Sequence, residues 1–133
     1  MASPLGVLGT ALNLDSLWGV WNDKTQPDSN RLKAMHKIAW SGYLFSQPDS
    51  AFYFAQLEYE LAESVGNKTW VAEALNMQGV SYALRSDYKN ALEIFIKCLK
   101  FHEDSENKIG IARTLGNISN IYQEQGDYDN SIE

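Results

Sequence analysis

The chain repeats itself at a fixed interval. Sliding the sequence along itself by forty residues superposes Asn67-Lys68 on Asn107-Lys108, Ala72 on Ala112, Leu75 on Leu115, Tyr82 on Tyr122, Asp87-Tyr88 on Asp127-Tyr128, Asn90 on Asn130 and Glu93 on Glu133. A further shift by the same period sets Ala91 on Ala51 and Gly79 on Ala39. A period of this length constrains the fold more than any composition does. Each unit is one supersecondary motif that cannot bury its apolar face alone, so neighbours must stack and share a core.

Within each unit the apolar spacing is helical. Leu32, Met35, Ala39 and Gly42 recur at intervals of three and four, as do Ala72, Leu75, Gly79 and Tyr82, and Leu115, Ile118, Ser119 and Tyr122. Second helices read the same way through Ala51, Phe54, Ala55, Leu57 and Leu61, and through Ala91, Ile94, Phe95, Cys98 and Leu99. Short breakers separate the two helices of each unit: Ser46-Gln47-Pro48-Asp49-Ser50, Arg85-Ser86-Asp87 and Gln125-Gly126-Asp127. They are too short for a parallel-sheet crossover, so each unit is an antiparallel helix pair. The expected fold is all-α, a right-handed solenoid of about two and a half helix pairs.

The register divides the chain into a loosely ordered or non-native lead-in at 1–12, a capping helix at 13–27, repeats at 28–67 and 68–107, and a third repeat at 108–133 cut short as its second helix begins. The capping helix carries Leu14, Leu17, Trp18 and Trp21 on one side, suited to shielding the first repeat's edge. The cut leaves Ile118, Ile121, Tyr122 and Tyr128 without a covering helix, which points to self-association through that edge.

Composition narrows the function classes. Seventeen acidic against eleven basic residues give a net charge of −6, the wrong sign for wrapping nucleic acid by counterion release. No apolar run approaches the roughly 20 residues of a membrane span. The single Cys98 falls on the apolar stripe beside Phe95 and Leu99, where it reads as an inert core thiol and cannot staple the chain or build a thiolate metal site. His36 and His102 have no second ligand at helical spacing, so no metal and no cofactor are expected, and no Ser-His-Asp grouping suggests catalysis. Glu58, Glu60 and Glu63 read as a solvated outer face. The composition leaves the compartment open between cytoplasm and periplasm.

Gly79 with Tyr82, then Ala91 with Phe95, resemble the tetratricopeptide repeat, which places small residues where two helices approach closely and large ones in the gaps. The period of forty is similar to the longer-helix variety in kinesin light chains and Leu-Gly-Asn repeat adaptors. The stretch from Leu14 through Ala51 also resembles the beginning of bacterial multidomain sensors, which set such repeats ahead of a nucleotide cyclase, histidine kinase or helix-turn-helix output. The first resemblance implies a non-catalytic module that binds a protein or peptide on a concave face lined by first helices. The second implies a sensory or dimerising input domain. Carried onto this sequence, the concave face has as its candidate residues Lys33, His36, Trp40, Tyr43, Asn76, Val80, Arg113 and Asn120. Asn amides there suit a peptide backbone, and Lys33 and Arg113 suit acidic groups. Asn76 and Asn117 fit equally the bridging of neighbouring repeats, and Trp40 fits a packed position as well as a groove anchor.

Overall fold

Helices begin where a side chain accepts from an amide that the helix itself leaves unpaired. In the computed structural model, which describes residues 12–131, Asn13 accepts from the Ser16 amide (3.0 Å), Asn67 from Trp70 (3.1 Å), Asp87 from Asn90 (3.3 Å) and Asn107 from Gly110 (2.9 Å). Pro48 opens another helix at a position where its missing N–H costs nothing. The resulting elements are α1 (Leu14–Asn22), α2 (Asp28–Lys37), α3 (Pro48–Ser64), α4 (Lys68–Leu84), α5 (Tyr88–Asp104) and α6 (Lys108–Ser131). Past Lys37, α2 widens into a π-helical segment, Ile38–Leu44, which the sequence pattern did not announce. Its wider turns still carry Ile38, Ala39 and Leu44 into the core.

Helix ends repeat as well. Gly66, Ser86 and Glu106 take φ of +73°, +60° and +54°. The amide that follows each one bonds back to the preceding helix: Asn67 to the Ala62 carbonyl (2.8 Å), Asp87 to Tyr82 (2.9 Å) and Asn107 to His102 (2.9 Å). The residue that closes each turn then caps the next helix, so α3, α4, α5 and α6 reverse direction through three residues each time.

These tight reversals make sequential neighbours pack. Each helix from α2 to α6 lies against the next, α1 lies against α2 and the π-helical segment, and α4 also touches α2 and α6. No strand occurs among the described residues, and the architecture is a helical solenoid. Trp18 packs edge-on to Phe54 at 5.3 Å, and Arg31 binds α1 from α2 through its Nε to the Trp21 carbonyl (2.8 Å) with its guanidinium over the Trp21 ring. The core runs through α4, which is buried nearly all round from Val71 to Ser81. Leu32, Ala62, Val71, Leu75 and Cys98 form one cluster, and Val80 joins the Ala39–Ala51–Ala55–Met77 cluster to that of Ala91, Phe95 and Ile121.

Size is matched across equivalent contacts. Ala62 and Trp70 share the first cluster, whereas at the corresponding junction of α5 and α6 the large residue is His102 and the small one Gly110. The His102 ring lies directly on the Gly110 backbone, buried, with Nε2 lacking any hydrogen-bond partner.

Three expectations are corrected. Glu58 is not on a solvated face: it is fully buried and held by His36. Ile121 is also buried, because α6 turns it toward α5, while Leu115 and Tyr122 on the other face are 50% and 61% exposed. The break at Gln125-Gly126-Asp127 does not form, and α6 runs through it to Ser131. The turns that do form are each locked by the next helix folding back on the last, and among the described residues none packs on the Leu115–Tyr122 face. The lead-in up to residue 11 lies outside the described residues, as does the Tyr128 side chain.

A Cβ added at Gly79 would lie 2.5 Å from the Phe95 ring. Gly79→Ala is expected to cost roughly 1–3 kcal/mol in urea denaturation, and the cost should shrink in a Phe95→Leu background, where the ring is gone. Burial holds the His102 imidazole below its ordinary value, with Arg113 adding in the same direction and Glu73 opposing. As pH falls below the ordinary histidine value of about 6.5, the unfolded chain takes up a proton that the folded chain resists, so stability is lost toward acid. Glu58, whose carboxyl is raised by burial against the opposing His36 bond, acts with the opposite sign. The expected readout is therefore differential: between about pH 7.5 and about pH 5, the wild-type urea midpoint falls relative to that of His102→Phe.

Candidate functional site

The first helices α2, α4 and α6 present the candidate residues, and the structure sorts them into three groups. Asn76, on α4, is only 4% exposed and accepts from the Asn117 Nδ2 of α6 at 2.8 Å. Its amide holds two first helices together. Tyr43 is half-buried with its ring 5.0 Å from Phe54, in use as packing between the π-helical segment and α3. Arg113 is half-exposed and bonded to Glu73 at 2.6 Å, an ion pair across forty residues that ties α6 to α4. It is not a free cation.

Lys33, His36 and Trp40 form the second group, all on one stripe of α2 and its π-helical continuation. Lys33 is exposed and lines a shallow cleft of about 210 Å³ with Leu17 and Val20 of α1. His36 Nδ1 lies 3.3 and 3.2 Å from the two carboxylate oxygens of Glu58. Its ring is nearly parallel to that of Trp40 at 6.2 Å and edge-on to Trp70 at 5.4 Å. Trp40 in turn meets Phe45 edge-on at 5.8 Å.

Val80 and Asn120 form the third group, and the structure brings them together. They line one cleft of about 450 Å³ between α4, α5 and α6. Its apolar wall is Val80, Ala83 and Leu84 of α4, with Phe95 and Ile121 behind, and its polar rim is Asn117, Asn120 and Glu124 of α6. Such a cavity takes an apolar group and orients it through a few polar contacts.

Burial pushes the Cys98 thiol up from its ordinary value, with Thr114 and Arg113 opposing, so the thiolate a nucleophile needs is disfavoured. No group of three or more His, Cys, Asp and Glu side chains among the described residues could hold a metal ion. No helix among them is long and apolar enough to cross a membrane.

Sequence reasoning missed Glu58, Phe95 and Ile121 as parts of the site. For Glu58 the signal existed: the forty-residue register puts it at the position of buried Cys98. The Glu73–Arg113 pair also sits at that offset.

Asn76→Ala is expected to destabilise the fold by about 1–3 kcal/mol by stranding the Asn117 amide. Asn120→Ala, at an exposed position, should stay within about 0.5 kcal/mol of wild type. Urea denaturation of both variants checks this separation of a structural from a surface amide.

Comparison with curated proteins returned no match. The tetratricopeptide repeat profile matches residues 70–133, the segment that holds α5, α6 and nearly all of α4. With antiparallel helix pairs, Gly79 against Phe95 at the close approach and a matching profile, the segment 70–133 is a stretch of tetratricopeptide repeats.

Proposed function

We propose that this chain captures a partner peptide or helix along the exposed face of its first helices, seating one apolar side chain of the partner in the α4–α5–α6 cleft. Tetratricopeptide repeats mediate protein–protein interaction and are not catalytic. The observation that carries the finer reading is the cleft itself: about 450 Å³, apolar at the back and rimmed by amides that can both donate to and accept from a peptide backbone. Asn120 is exposed on that rim, while Lys33 and Trp40 extend the same series of first helices to α2. Large side chains entering such pockets dominate binding energy, whereas the polar surround contributes mainly register.

A displayed peptide library selected against the chain tests this. Enriched peptides should carry a recurrent apolar residue and lose at least about tenfold in affinity against Val80→Arg, which fills the cleft with charge. The same peptides should be unaffected by Tyr53→Arg, an exposed position on α3 outside the cleft. Equal binding to wild type and Val80→Arg would refute the cleft as the binding site.

A further inference from the structure

Glu58 is a fully buried carboxylate whose hydrogen-bond partner, among the described residues, is His36 alone. A buried carboxylate without a donor is strongly disfavoured, so the pair carries a compulsory proton between Glu58 and Nδ1. The His36 side chain remains 25% exposed. Among the described residues its Nε2 has no partner, yet it is not enclosed: His102 Nε2 is the buried unpartnered side-chain atom among them. His36 Nε2 therefore opens to solvent, flanked by Trp40 and Trp70.

Counting protons fixes what Nε2 does. With one proton on the pair, Glu58 is ionised and accepts from Nδ1–H, which leaves Nε2 bare, an acceptor. Adding a second proton gives either an imidazolium beside a carboxylate or a neutral ring accepting from a protonated carboxyl. In both arrangements Nε2 carries hydrogen. One titration step of the coupled pair thus reverses the solvent-facing nitrogen from acceptor to donor.

We infer that His36 is a proton-switched recognition point, its Nε2–H donating to a carboxylate of an acidic peptide ligand at lower pH and releasing it when the pair gives up that proton. The inference rests on the reading that the exposed first-helix face is the binding surface, and it names the ligand chemistry and its control. Lys33, one turn earlier on α2, is exposed, lines the cleft against α1 and makes no ion pair among the described residues, so its ammonium adds an open positive charge on the helix that carries His36. Lys37 follows on the same helix. From α3 the facing group is Glu58. From α4 it is Glu73, whose charge acts on Glu58 and is neutralised by Arg113 of α6. Lys33 and Lys37 of α2 are thus open, while Glu58 is buried and Glu73 is paired. Trp40, nearly parallel to the His36 ring, offers apolar surface next to the carboxylate site.

Two measurements decide it. Long-range proton–nitrogen spectra of the His36 ring in wild type should show Nδ1 protonated and Nε2 bare above the transition, with Nε2 gaining hydrogen in one step as pH falls. Glu58→Gln should abolish the tautomer preference. A bare Nδ1 above the transition in wild type would overturn the switch, with no variant required. Library peptides selected below and above the transition that the spectra show form the second arm, with circular dichroism at both pH values to separate binding from the His102 effect on folding. Acidic residues should be enriched at the lower pH, and affinity should fall roughly tenfold at the higher pH and in His36→Phe. Enriched peptides that ignore pH and His36→Phe yet fail on Val80→Arg would sink this inference and leave the cleft standing. Peptides that depend on His36 and not on Val80 would support it and remove the cleft.

Discussion

The distance between α4 and α5 is set by the absence of a side chain at Gly79, on which the Phe95 ring rests. Because the helices meet that closely, α4 can be buried nearly all round and serve as the common wall of two cores, with Val80 contributing to both. The same approach fixes the cleft, since Phe95 forms part of its back and Val80 part of its side. A larger residue at position 79 would push α5 outward, and the alignment of α6, which packs on α5, would move with it. Geometry at the binding face is thus determined one layer beneath it.

The periodicity made the helices, their pairing and the small residues at their crossings legible, because these depend on apolar spacing and on side chains that act within a few residues of themselves. Capping by Asn67, Asp87 and Asn107 is of this local kind. The His36–Glu58 pair was not legible by the same route. Its partners are twenty-two residues apart, and Glu58 was grouped with Glu60 and Glu63 as surface charge although the repeat register assigns it the position of a buried thiol. Residue type outweighed register in that reading, and register was right. The π-helical segment and the straight course of α6 also lay beyond the pattern. A wider helical turn leaves apolar spacing almost unchanged, and Gly126 is compatible with both a turn and a helix.

The two polar links between α4 and α6 differ in kind. Asn76–Asn117 is largely shielded from water, so either amide left alone would be costly. Arg113–Glu73 is partly exposed, and pairs of that type contribute little to stability, about 0–1 kcal/mol. Its effect is on charge: it removes one cation and one anion from the face, whereas Lys33 of α2 stays unpaired among the described residues. The candidate residues of the face thus include a lysine on α2 and amides with Glu124 on α6.

The three left-handed turn residues stand at positions 66, 86 and 106, an interval of twenty. The connection within the second repeat and the two connections between repeats are therefore the same structure. In the second repeat nothing in the backbone distinguishes the internal bend from the boundaries on either side, so there the smallest interchangeable piece is a single helix with its turn. A solenoid built this way is free to hold an odd number of helices, and an array that gains or loses one helix swaps which side chains face its inner surface while every joint stays unchanged.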